Sequence, residues 1–189
     1  MNRRDAITRV ALLMGGTVIG ADLFLSGCKT KEDKVEDLFA TDDANFFNEV
    51  GNTIIPDTNT PGAKAANVGG FMAVMVQDCY SPDDQKIFLT AKEKINKEAQ
   101  KQFGKDFMAC DVPQRTKVLN QLDNEQKEYN KTKEKTAPNH YFKMVKELTL
   151  LGYFTSKIGC TEALRYVAIP GKYEGDVPYK KGDRAWATR

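Results

Sequence analysis

The chain has 189 residues, with 28 basic and 26 acidic side chains, a formal net charge of +2 and 41% hydrophobic residues. That length is enough for one domain with a sizeable core even after an N-terminal leader is set aside. A near-balanced charge with no dense basic stripe excludes an electrostatic case for nucleic-acid binding.

The N-terminus reads MNRRDAITRVALLMGGTVIGADLFLSGC. Arg3, Arg4 and Arg9 precede an uncharged, mostly apolar run from Val10 to Ala21, too short for a bilayer, where about 20 residues are needed. This is the layout of a signal peptide over residues 1–27. The adjacent Arg3 and Arg4 resemble a twin-arginine export motif, and they also suit the basic start of a general secretory signal. LSGC at 25–28 resembles a bacterial lipoprotein box, in which Cys28 is acylated and begins the mature chain. The expected location is therefore the bacterial cell envelope, lipid-anchored and facing the periplasm. Residues 28–40 read as a hydrated tether, mixed in charge and poor in apolar groups.

From 41 onwards the pattern is helical. Phe46, Phe47, Val50, Ile54 and Ile55 recur at helical spacing, with Thr41 or Asp42 placed to cap the start. PDTNTPGA at 56–63 then reads as a turn. A second helix over Asn67 to Cys79 sets Val68, Met72, Met75 and Cys79 on one side, broadened by Phe71 and Val74. Ser81, Pro82, Asp83 and Asp84 form a helix start. The third helix carries Phe88, Ala91, Ile95, Ala99, Phe103 and Phe107 on one face, weakened near its end by Gly104. A fourth is predicted from Pro113 to about Tyr129, and the polar stretch 131–136 reads as a loop. The fifth spans about Asn139 to Phe154; its LTLLGYF segment is apolar all round, which predicts a central position between neighbours. The fold class is all-α: a bundle of about five helices with an irregular C-terminal tail over a domain of 41–189.

GYFTSKIGC, at 152–160, interrupts this apolar run with small and polar residues. Gly152 permits close approach to another helix, Thr155 and Ser156 can cap carbonyl groups, and Gly159 reads as the helix stop. The tail beyond Pro170 is rich in turn residues yet retains Tyr173, Tyr179 and Trp186. These amphipathic rings suit either a cover over the chain's own helices or a partner interface, for which all three are candidates.

Catalytic chemistry is not signalled. His140, the single histidine, has no evident activated Ser or Cys beside it, and no CxxC, HExxH or CxxCH occurs. Asp42–Asp43 and Asp83–Asp84 sit at helix starts, where capping and the helix dipole account for them. Beyond Cys28 three cysteines remain; a bond from Cys160 to Cys79 or Cys110 is open, and the preferred reading is three buried thiols. No catalytic residue, cofactor or metal site is therefore assigned to this chain.

Three segments in succession, IIPDTNTPGAKAANV at 54–68, YFKMVKELTLLGYFTSKIG at 141–159 and ALRYVAIPGKYEGDVPYKKGDRAW at 163–186, resemble the gluconate 2-dehydrogenase subunit 3 family. The resemblance covers about residues 38–187. It implies a non-catalytic small subunit of an exported sugar or sugar-acid dehydrogenase, whose large partner, similar to the glucose-methanol-choline oxidoreductases, carries FAD. A cytochrome c subunit with haem accompanies some such complexes. It further implies that the small subunit carries the export signal for a folded partner and that Cys28 tethers the pair to the membrane. The competing reading from the residues alone is an independent lipoprotein that binds a glycan or other small ligand through the tail aromatics.

Overall fold

The computed structural model describes residues 41–134, 136–172 and 174–188. Among these residues the architecture is an all-α bundle of five helices followed by a short two-stranded ribbon: α1 Thr41–Ile54, α2 Val68–Cys79, α3 Pro82–Phe103, α4 Val112–Thr132, α5 Tyr141–Thr155, β1 Arg165–Tyr166 and β2 Trp186–Thr188. One core runs through all five helices. Phe46, Phe47 and Val50 from α1, Met72 and Val76 from α2, Phe88 and Ile95 from α3, Leu122 from α4 and Val145 and Leu148 from α5 are buried together.

Several helix ends have a local cause. Asn48 on α1 receives the Gly69 amide of α2 at 2.8 Å, so one helix caps the start of the next. α3 begins with Ser81 accepting from the Asp84 amide and Pro82 in its first turn. It ends at Phe103, because Gly104 takes φ +69° and closes the last turn onto Gln100. The periodic run to Phe107 is thus divided: Phe107 is buried from a separate 3-10 turn, Phe107–Ala109, held by Asn96. α4 starts earlier than its apolar pattern, through a capping box between Asp111 and Gln114. It also continues to Thr132, into the stretch expected as loop.

Two further expectations are corrected. Val74 and Cys79 of α2 face outward, and the buried stripe is Val68, Met72 and Val76. Only Cys110 is a buried thiol; Cys79 is exposed, Cys160 is half-buried, and all three are free. Cys79 ends α2 on its outward side, whereas Cys110 follows the 3-10 turn that carries buried Phe107.

Two charge clusters bind distant segments. Glu49 of α1 meets Arg115 of α4 at 2.6 Å and also pairs with Lys64 of the α1–α2 loop. The same Arg115 donates to the carbonyls of Phe107 and Met108. Asp123 of α4 pairs with Lys127 and with Lys146 of α5, each at 2.6 Å.

Candidate partner-docking surface

α5 is the element about which the candidate surface is built. Its start is fixed by His140, whose Nδ1 accepts from the Phe142 amide at 3.2 Å. Its packed face carries Tyr141, Val145, Leu148, Thr149, Gly152 and Tyr153. Gly152 lies against α2: a Cβ at this position would come within 2.6 Å of the Phe71 ring. Tyr153 donates to the Pro61 carbonyl at 2.8 Å and ties the α1–α2 loop to the helix.

The other face of α5 is open. α5 packs against all four other helices, the position its apolar segment predicts, yet Leu150, Leu151 and Phe154 are 40%, 46% and 40% exposed. Among the described residues, the four neighbours leave these three side chains at the surface. The signal available in the sequence was the placement of the small residues. Thr149 and Gly152 mark the side of close approach, and the large residues between them fall on the opposite side.

The helix stops at Thr155, four residues before Gly159. Thr155 Oγ1 donates to the Leu151 carbonyl at 2.7 Å. Ser156 Oγ donates to the Tyr153 carbonyl at 2.7 Å and accepts from the Gly159 amide at 3.0 Å. Gly159 instead opens a π-turn, Gly159–Ala163, which redirects the chain into β1. A Cβ there would stand 1.9 Å from the Tyr153 carbonyl oxygen, closer than any side chain permits.

The tail is irregular only in part. β1 and β2 pair in parallel, with Arg165 donating its backbone N–H to the Ala185 carbonyl at 2.8 Å. The Arg165 guanidinium stacks over the Trp186 ring at 4.3 Å, and Arg184 donates to the Glu162 carbonyl. These contacts close the intervening residues into one long loop. Trp186 sits at the loop's base and is 37% exposed, whereas Ile169 and Tyr179 project from it at 86% and 72%. Tyr173, Arg3, Arg4 and Cys28 lie outside the described residues.

The family model for gluconate 2-dehydrogenase subunit 3 matches residues 41–171, from the start of α1 to just beyond β1. The chain belongs to the gluconate 2-dehydrogenase subunit 3 family. The match takes in all five helices, Gly152, Ser156 and Gly159, and ends before Tyr179 and Trp186. No curated protein and no solved structure gives a significant match.

In this family member two polar groups that could suggest a site are engaged in structure. His140 Nε2 lies 3.5 Å from Glu125, and burial pushes its pKa below the ordinary value despite that carboxylate. A cleft of about 290 Å³ lies over Ile54, Leu119 and Phe142, but its two charged residues, Asp123 and Lys146, are paired with each other. Among the described residues no group of three or more His, Cys, Asp or Glu could hold a metal ion. No helix among them is long and apolar enough to cross a membrane.

Proposed function

We propose that this chain is a non-catalytic accessory subunit that docks, exports and anchors a large FAD-dependent sugar or sugar-acid dehydrogenase of the glucose-methanol-choline type. Family membership supports the subunit role. The observation that carries the docking is the exposed apolar face of α5: Leu150, Leu151 and Phe154 lie on one rigid helix whose opposite side is packed into the core. Contiguous apolar area on a rigid element, offered to solvent, is the usual mark of a protein contact. Trp186 contributes by fastening the tail to β1 beyond the end of that helix.

In this reading the partner's flavin oxidises the substrate and passes electrons to a haem protein or another acceptor, with this chain supplying none of the redox groups. Arg3 and Arg4 direct the export of the folded pair, and acylated Cys28 holds it at the envelope membrane. Purification of the full chain from its native envelope should recover a flavin-containing large subunit. Leu151→Asp combined with Phe154→Asp should lower that recovery by about tenfold or more, with melting of the small subunit unchanged. Recovery of the unaltered chain as a monomer only, with the dehydrogenase exported normally in its absence, rules the reading out.

A further inference from the structure

The closed loop between β1 and β2 differs in kind from the α5 face. The α5 face is a patch on a helix; the loop instead holds single apolar residues out in solvent, Ile169 and Tyr179 above all, on an otherwise exposed backbone. Tyr179 is followed at once by Lys180 and Lys181. Among the described residues neither ammonium is paired to a carboxylate, although Asp183 accepts from the Lys180 backbone N–H at 3.0 Å. Of the other acidic groups in the loop, Glu174 is paired with Lys172 at 2.5 Å and Asp176 is exposed.

We infer that this loop is a membrane-surface contact, in which Ile169 and Tyr179 enter the interfacial region of an anionic bilayer and Lys180 and Lys181 meet its headgroups. Three arguments select a bilayer as the occupant. Protruding apolar and tyrosine side chains flanked by lysine have the chemistry of the lipid–water interface, where amphipathic rings and basic groups both gain. The two lysines complement the negative charge of such a surface. The ends of the loop are also held together by the Arg165–Trp186 stack and the strand pairing, so its closure does not have to be paid for on contact.

The inference draws on the lipid-anchor reading above, under which segment 29–40 would keep the described body within about 40 Å of the bilayer, the length of that segment when extended. At such range even a weak contact is met at high effective concentration. The loop would then set the orientation of the body on its tether.

The full chain carrying Cys28→Ser separates the loop from the lipid. Mixed with vesicles of phosphatidylglycerol and phosphatidylethanolamine, it should sediment more strongly than with phosphatidylcholine vesicles. Lys180→Gln together with Lys181→Gln should weaken binding to the anionic vesicles by roughly 25-fold, at about fivefold per lysine. The apolar segment 10–21 is common to every arm, so the difference reads the loop. Because Trp186 is the only tryptophan, Trp186→Phe with Tyr179→Trp places one fluorophore at the loop's exposed part. Brominated acyl chains should quench it.

Equal binding of the parent and the double-lysine variant overturns the inference, as does an unquenched indole in chains that do sediment. Loss of the flavin-containing subunit on Ile169→Asp, with vesicle binding unchanged, gives the loop to a protein partner and overturns it too. Labelling of the unaltered chain with radioactive palmitate tests the lipid anchor by itself, so failure of the anchor and failure of the loop are distinguishable.

Discussion

Gly152 and Gly159 are both required to be small, but the atoms that enforce it differ. At Gly152 the obstacle is the Phe71 ring, a side chain that can rotate or shift at some cost. At Gly159 it is the Tyr153 carbonyl, part of a helix backbone that the core holds in place. Gly159→Ala should therefore cost more than Gly152→Ala, and Gly152→Leu should cost about 1–3 kcal/mol through overpacking. Thermal melting of the three variants decides the order; equal losses for the two alanine variants would show that the backbone around Gly159 yields as easily as a ring. The sequence reading separated the two, Gly152 as a point of close approach between helices and Gly159 as a helix stop. The carbonyl that keeps Gly159 small is brought to it only by the folded turn.

α5 joins a titratable cap to an exposed face. His140 can accept from the Phe142 amide only while Nδ1 is unprotonated. Burial lowers its pKa first, with Lys94 acting in the same direction and Glu125 opposing. The sign follows: with the folded value below the ordinary 6.5, the unfolded chain binds more protons in the interval between them. Stability should be full above pH 6.5 and fall on acidification through that interval. His140→Asn keeps a capping oxygen without a titrating group and should flatten this step in urea melts taken from pH 7.5 to 5; an unchanged slope would exclude His140 as its source. The five helices were legible because their apolar positions recur at helical spacing. Their ends were less so, since Gly104, Asp111 and Ser156 act through local backbone geometry that periodicity does not carry. The exposure of Leu150, Leu151 and Phe154 was not legible, because an apolar run does not reveal which of its residues the neighbours leave at the surface.

For the whole molecule, the decisive polar link is Glu49, which joins α1, the α1–α2 loop and α4 through Lys64 and Arg115. The Lys64 hydrogen bond, opposed by burial and aided by Arg115, holds its carboxyl below the ordinary 4.5. Its contribution is present above pH 4.5 and is lost as pH falls through the lower folded value, a step separate from that of His140. Glu49→Gln should cost about 1–3 kcal/mol at neutral pH and remove much of the acid step. Denaturant melts at pH 7 and pH 3.5 check this, since a loss that persists undiminished at pH 3.5 would assign it to packing. Pairings of this kind, across sequence separations that the fold alone brings together, were not readable from the chain. The same holds for the return of Trp186 to Arg165.

That return makes β2 a fastening. β2 begins at Trp186, and its pairing with Arg165 and Tyr166, together with the Arg184–Glu162 hydrogen bond, closes the whole stretch back to β1. Loss of β2 would therefore loosen some twenty residues, leaving Lys180 and Lys181 on an unfastened segment open to tryptic attack. A stop codon at position 186 and a deletion beginning at 167 would be very unequal genetic lesions with nearly the same physical result.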